Sequence, residues 1–177
     1  ASTDCSSLWV SGTAQTSPTL PGGGVRYSTA GATLSNDLTG GGTFTNVRAV
    51  SIYGGQLFTS VSVTALRGVA KVGSGLPTST LPPGTAVVAK LPGLTDTNSP
   101  GTYAFFLADL DGVPGFDTLY IADDATGLLK FALVGGTWTS KGTIGTASDT
   151  YRGLTGVVSG TSVTLYATRK GGSTATG

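Results

Sequence analysis

Five of the nine acidic residues of this 177-residue chain fall between positions 109 and 124. Asp109-Leu110-Asp111-Gly112-Val113-Pro114-Gly115-Phe116-Asp117 alternates carboxylates around a Gly turn, and Asp123-Asp124 follows closely. Alternating carboxylates on a tight loop are the donor set that wraps a hard cation, so Asp109, Asp111, Asp117, Asp123 and Asp124 are candidate calcium ligands. Val113 and Pro114 stand where further oxygen ligands are expected, and no Glu closes the loop. The same short carboxylates suit the capping of backbone amides in Asx turns, and that reading stands beside the calcium one.

Other chemistry is narrowed by what is missing. With no His and one Cys, the chain cannot build a Ser-His-Asp triad, a His-ligated metal site, a zinc finger or an internal disulfide. General acid-base work would fall to the pairs Asp109/Asp111 or Asp123/Asp124, or to a perturbed Tyr or Lys. No catalytic residue is assigned. Cys5 is either a free thiol or bridged to a polypeptide outside this sequence. Arg48 and Arg152 occupy equivalent places ahead of apolar runs. They are candidates for a channel mouth, pairing with an anionic ligand or with Asp123 or Asp124, or for an architectural clamp between blades that donates to carbonyls or a carboxylate. Trp138 is a candidate surface contact for a sugar ring, whereas Trp9 sits inside a repeated apolar pair and is expected in the core.

These residues must be positioned by strands. Gly supplies 29 of the 177 positions, more than twice the usual ~7%, and charged residues only 11%. With 38% hydrophobic residues and a net charge of +1, the chain is too apolar and too neutral for disorder. Near-neutrality removes the footprint of a nucleic-acid binder, and no apolar stretch reaches the ~18 residues of a membrane span. Short Val, Leu, Thr, Tyr and Phe runs separated by Gly-Gly and Gly-X pairs read as antiparallel strands joined by hairpins, with no helical periodicity.

The runs repeat. A Leu-aromatic pair recurs in Leu8-Trp9-Val10-Ser11, Leu57-Phe58-Thr59-Ser60, Leu119-Tyr120-Ile121-Ala122 and Leu165-Tyr166-Ala167-Thr168, at spacings of 49, 62 and 46. A first run precedes three of these pairs: Val47–Tyr53, Tyr103–Ala108 and Leu154–Val158. A third run follows as Gly24–Tyr27, Leu66–Lys71 and Leu128–Leu133, and a fourth as Ala32–Leu34, Ala86–Lys90 and Thr137–Lys141. Four antiparallel strands per ~50 residues describe a propeller blade. The expected fold is all-β, with propeller-type four-stranded blades at about 7–38, 46–91, 102–145 and 151–168 in a single domain. That is about three blades' worth, starting and ending in mid-blade. The tract Gly171–Gly177 reads as a turn before a further strand.

Asn46-Val47-Arg48 leading to Gly54-Gly55-Gln56-Leu57-Phe58, then Thr118-Leu119-Tyr120-Ile121-Ala122-Asp123-Asp124, Gly135-Gly136-Thr137-Trp138 and Tyr151-Arg152-Gly153-Leu154-Thr155-Gly156, resemble uncharacterised secreted β-propeller proteins. The resemblance covers nearly the whole chain. It implies the fold, a multi-blade parent longer than this segment, and export to the cell surface or medium. It implies no activity. The expected function is a non-enzymatic extracellular segment with a structural or binding role, its open blade edges joined by other polypeptide or by further copies of the chain. A lectin-like glycan binder is the alternative, and a portion of a secreted hydrolase the third reading.

Overall fold

The computed structural model describes residues 1–13, 23–39, 44, 46–82 and 87–170. Among them the chain is all-β, as its composition predicts, with one 3-10 turn at Ala147–Asp149 and no α-helix. The described residues contain thirteen strands in four antiparallel sheets. The first contains β1 (Ser7–Gly12), β2 (Gly24–Thr29) and β3 (Asn36–Asp37), in that order. The second contains β4 (Val47–Tyr53), β5 (Gln56–Val61), β6 (Gly68–Val72) and β7 (Val88–Lys90). The third contains β8 (Thr102–Ala108), β9 (Thr118–Asp123), β10 (Gly127–Val134) and β11 (Thr137–Ile144). The last contains β12 (Tyr151–Ser159) and β13 (Ser162–Arg169). Each is a meander of sequence neighbours, and none closes on itself.

Turn chemistry accounts for the meanders. Gly54-Gly55 and Gly135-Gly136 take positive φ at both central positions of two-residue loops, flanked by the pairs Tyr53/Gln56 and Val134/Thr137. That backbone matches the right-handed twist of the strands it joins, and glycine adopts it without a Cβ clash.

One expected strand is displaced. Ala32-Thr33-Leu34 is not a strand, and Leu34 is 84% exposed; the fourth run of the first sheet is Asn36–Asp37, opposite Tyr27 and Arg26. The reason is side-chain capture of the loop. Arg26 donates to the Ser35 hydroxyl and carbonyl, and Ser28 donates to the Leu34 carbonyl. Ala86 and Gly171–Gly177 lie outside the described residues.

The chain divides into two compact units, Ala1–Val63 with Val69–Lys90, and Thr64–Gly68 with Leu91–Gly177. The first unit packs Trp9, Val25 and Leu38 of one sheet region against Val47, Leu57 and Val72 of the other. Trp9 is in the core as expected, its indole N–H donating to the Pro77 carbonyl at 2.8 Å. In the second unit, β9 is buried at every position and β10 from Gly127 to Leu129 and at Phe131, while β11 is largely exposed. Central strands covered on both faces read as continuous apolar runs, which is why the Leu-aromatic pairs stand out in the sequence.

Candidate functional site

The loop between β8 and β9 gathers Asp109, Asp111 and Asp117, each offering a carboxylate oxygen within 4.8 Å of the others. Asp123 and Asp124, which the sequence groups with them, lie at the far end of β9 and belong to a different arrangement. The loop is organised by Asp117. Its Oδ2 accepts from the Leu110 amide at 2.5 Å and the Asp111 amide at 2.8 Å, and its Oδ1 accepts from the Thr118 hydroxyl at 2.5 Å. Asp111 caps the Val113 amide at 2.8 Å. Partial burial pushes the Asp117 pKa up, but the Thr118 hydroxyl, the two amides and the Lys130 ammonium together outweigh it and hold the carboxyl below its ordinary value. Asp109 differs: its Oδ1 is out of contact with solvent and accepts no hydrogen bond. The capping role foreseen for these carboxylates thus accounts for Asp111 and Asp117, and leaves one oxygen of Asp109.

At the other end of β9 the two acids have separate tasks. Asp123 is fully buried; its Oδ2 accepts from the Gly101 amide at 2.8 Å, and its Oδ1 from the Ala125 amide at 2.9 Å and the Thr126 hydroxyl at 3.0 Å. It ties the chain entering β8 to the β9–β10 turn. Asp124 faces Arg152, whose Nη2 and Nε both donate to its Oδ2, at 2.8 and 3.2 Å. The same guanidinium lies 4.4 Å from the centre of the Tyr103 ring. One cation therefore joins β12 to the β9–β10 turn and to β8, the clamp geometry that a planar, weakly hydrated guanidinium suits.

Arg48 and Arg152 do hold equivalent positions, and the backbone gives the reason. The first strands of three sheets carry an irregularity at the same place: between Val47 and Val50, between Thr102 and Phe105, and between Tyr151 and Gly153. Arg48, Tyr103 and Arg152 sit in these bulges. A bulge leaves an amide outside the ladder. The Ala49 amide donates to the Ser60 hydroxyl at 2.9 Å, and the Gly153 amide to the Thr168 hydroxyl at 3.0 Å. Ser60 and Thr168 are the fourth residues of the Leu-aromatic segments, so the sequence held this signal. It was readable only once the bulge was known. Arg48 itself reaches the Asn46 side-chain oxygen at 3.3 Å.

Trp138 corrects the expectation of an exposed aromatic. It is on an outer strand, β11, as expected, but only 6% exposed. The segment after β7 runs along it: the Trp138 amide donates to the Pro92 carbonyl at 2.8 Å, and a Cβ on Gly93 would come within 2.3 Å of the Trp138 carbonyl oxygen. That approach needs glycine, and a Trp138 only 6% exposed leaves the indole no open face for a sugar ring. A shallow cavity of about 240 Å³ in the first unit is lined by Ala1, Trp9, Val50, Ser51, Ile52 and Leu57, below the ~300–1,000 Å³ of a typical small-molecule site.

The last sheet exposes Val157, Val158 and Tyr166. Among the described residues β13 pairs only with β12, and Tyr166 is 61% exposed. No protein family, no characterised protein and no solved structure matches the chain.

Proposed function

We propose that the chain is a segment of an extracellular β-propeller-type protein with a structural or binding role, and that its two-stranded sheet is completed by strands from other polypeptide. The observation that carries this reading is the outer edge of β13, which pairs with nothing among the described residues, in a chain whose two fuller sheets each place a third and fourth strand at that position. A bulge at the same place in β4, β8 and β12 supports treating the sheets as copies of one unit. An open strand edge offers unpaired N–H and C=O groups, which natural proteins pair, cover or blunt with charge. The low charge and high Ser, Thr and Gly content favour export.

A binding or structural role is preferred over catalysis because Asp123/Asp124, one of the two carboxylate pairs that acid-base work could use, is engaged. Asp123 is saturated with donors, Asp124 is held by Arg152, and Asp117 organises its own loop. The decisive measurement is the native mass of the protein from its natural source, with the same sample denatured to identify its chains. A particle well above 17.5 kDa, containing companion polypeptide or further copies, is the expected result. A lone, fully folded 17.5 kDa monomer overturns the reading.

A further inference from the structure

The two complete sheets specify what the incomplete one lacks. Leu119, Tyr120, Ile121 and Ala122 of β9 are at most 6% exposed, and Leu57 and Phe58 of β5 at most 5%. At the same places β13 has Leu165, half-buried, and Tyr166, Ala167 and Thr168, all exposed. β9 and β5 each have a third strand beside them, and among the described residues β13 has none. β10 runs antiparallel to β9 with Gly127 opposite Asp123, Leu128 opposite Ala122, Leu129 opposite Ile121, Lys130 opposite Tyr120 and Phe131 opposite Leu119. The Lys130 ammonium lies 5.7 Å from the centre of the Tyr120 ring. The third strand of the second sheet has the same pattern, Gly68-Val69-Ala70-Lys71-Val72 beside Gly127-Leu128-Leu129-Lys130-Phe131. Their glycines share an unusual backbone, φ 124° and 125°, that side chains rarely adopt.

We propose that β13 accepts a β-hairpin from outside this chain whose first strand runs antiparallel to it with the pattern Gly-apolar-apolar-Lys-apolar, the glycine opposite Arg169 and the lysine over Tyr166. This rests on the reading above and names the partner of that open edge. The register follows by carrying the β9–β10 pairing onto β13, where Leu165-Tyr166 stands for Leu119-Tyr120. Tyr166 supplies the charge complementarity, an exposed electron-rich ring where the fuller sheet sets an ammonium over a tyrosine. Gly171–Gly177 contains neither Lys nor a large apolar residue and so does not carry this pattern. A second copy is also a poor donor, since its β6 and β10 are interior strands of four-stranded sheets.

The test adds a synthetic peptide with the sequence of Gly127–Ile144, the chain's own third-and-fourth-strand hairpin, to the purified protein. Amide hydrogen exchange along β13 is followed by mass spectrometry. The expected result is at least tenfold slower exchange in β13. A peptide carrying Lys130→Ala should bind about 2- to 5-fold more weakly, the range of a cation-π contact at an exposed site. That difference should vanish against Tyr166→Ala protein, whose altered side chain is exposed. Equal protection by a scrambled peptide, or no protection of β13, overturns the proposal. If β13 is unprotected by the peptide while the native particle contains companion polypeptide, the partner pattern fails and the reading above stands. If β13 amides already exchange slowly in a lone monomer, both fail.

Discussion

Replacing Asp123 with Ala should cost about 3 kcal/mol of stability, and the structure says where that cost arises. The carboxylate is fully buried and takes three donors: the Gly101 and Ala125 amides and the Thr126 hydroxyl. Hydrogen bonds to a charged acceptor contribute roughly 1.5–3 kcal/mol each, and a buried donor left unpaired costs about 1–3 kcal/mol. The three do not add. Ala125 is exposed and Thr126 half-buried, so water can replace the acceptor there, whereas Gly101 is buried and its amide is stranded. Removing a buried charge also returns some desolvation energy. The Gly101 amide and the lost charge-assisted bonds leave a net cost of about 3 kcal/mol. Asp123→Asn keeps an acceptor for the turn but points an amide N–H at the Gly101 N–H, and should cost about 1–2 kcal/mol. Urea unfolding followed by fluorescence is the assay. Trp138 lies in the same compact unit as Asp123 and Trp9 in the other, so a single-Trp background for each separates their transitions. With m of about 2 kcal/mol/M, the Ala variant should lower the Trp138 midpoint by about 1.5 M. A drop below about 0.5 M, or an Asn variant as damaged as Ala, would refute the saturated-carboxylate account.

Asp117 should give the protein an acid-sensitive component of stability. Its folded pKa is depressed, so its contribution is complete above the unfolded value near ~3.9 and is lost as pH falls through the folded value; urea midpoints between about pH 2 and 5 should fall more gently in Asp117→Asn than in wild type. Arg152→Lys should cost about 1 kcal/mol, because an ammonium cannot send two donors to Asp124 and stack on Tyr103 together, and the pair is partly solvent-screened; an unchanged midpoint would remove the clamp. Thr168→Val, which keeps shape but loses the hydroxyl that holds the Gly153 amide, should cost about 1 kcal/mol by the same assay. Asp109→Asn in chelator should raise stability by about 0.5–1 kcal/mol, since it removes one of three adjacent carboxylate charges. A calcium-dependent rise in the melting temperature of wild type that Asp109→Asn abolishes would instead make the loop a cation site.

The strand pattern was legible because strand physics is local. Gly-Gly pairs mark two-residue hairpin loops, and a strand covered on both faces carries apolar residues on both, so β5 and β9 announce themselves as Leu-aromatic segments. The equivalence of Arg48 and Arg152 was legible for the same reason. Its meaning was not, since a bulge is a property of two paired strands and neither carries a residue that must produce one. The aspartates were the hardest to sort. Spacing grouped all five, yet β9 runs between them, putting Asp123 and Asp124 at the opposite end of that strand from Asp109, Asp111 and Asp117.

What the amino-acid sequence determined by itself is the all-β class, the antiparallel meanders and the absence of His-based chemistry, because composition and short-range periodicity settle these without reference to distant residues. What only the tertiary structure decided is burial and partnership. Trp138 is buried on an outer strand, against whose backbone the segment around Gly93 packs from some 45 residues away in the sequence. Asp123 is structural because its donors come from both sides of β9. Tyr166 is exposed where Tyr120 is covered, although the two occupy the same place in the repeat. Solvent access depends on what packs above a side chain, and a local pattern cannot record which strand arrives there.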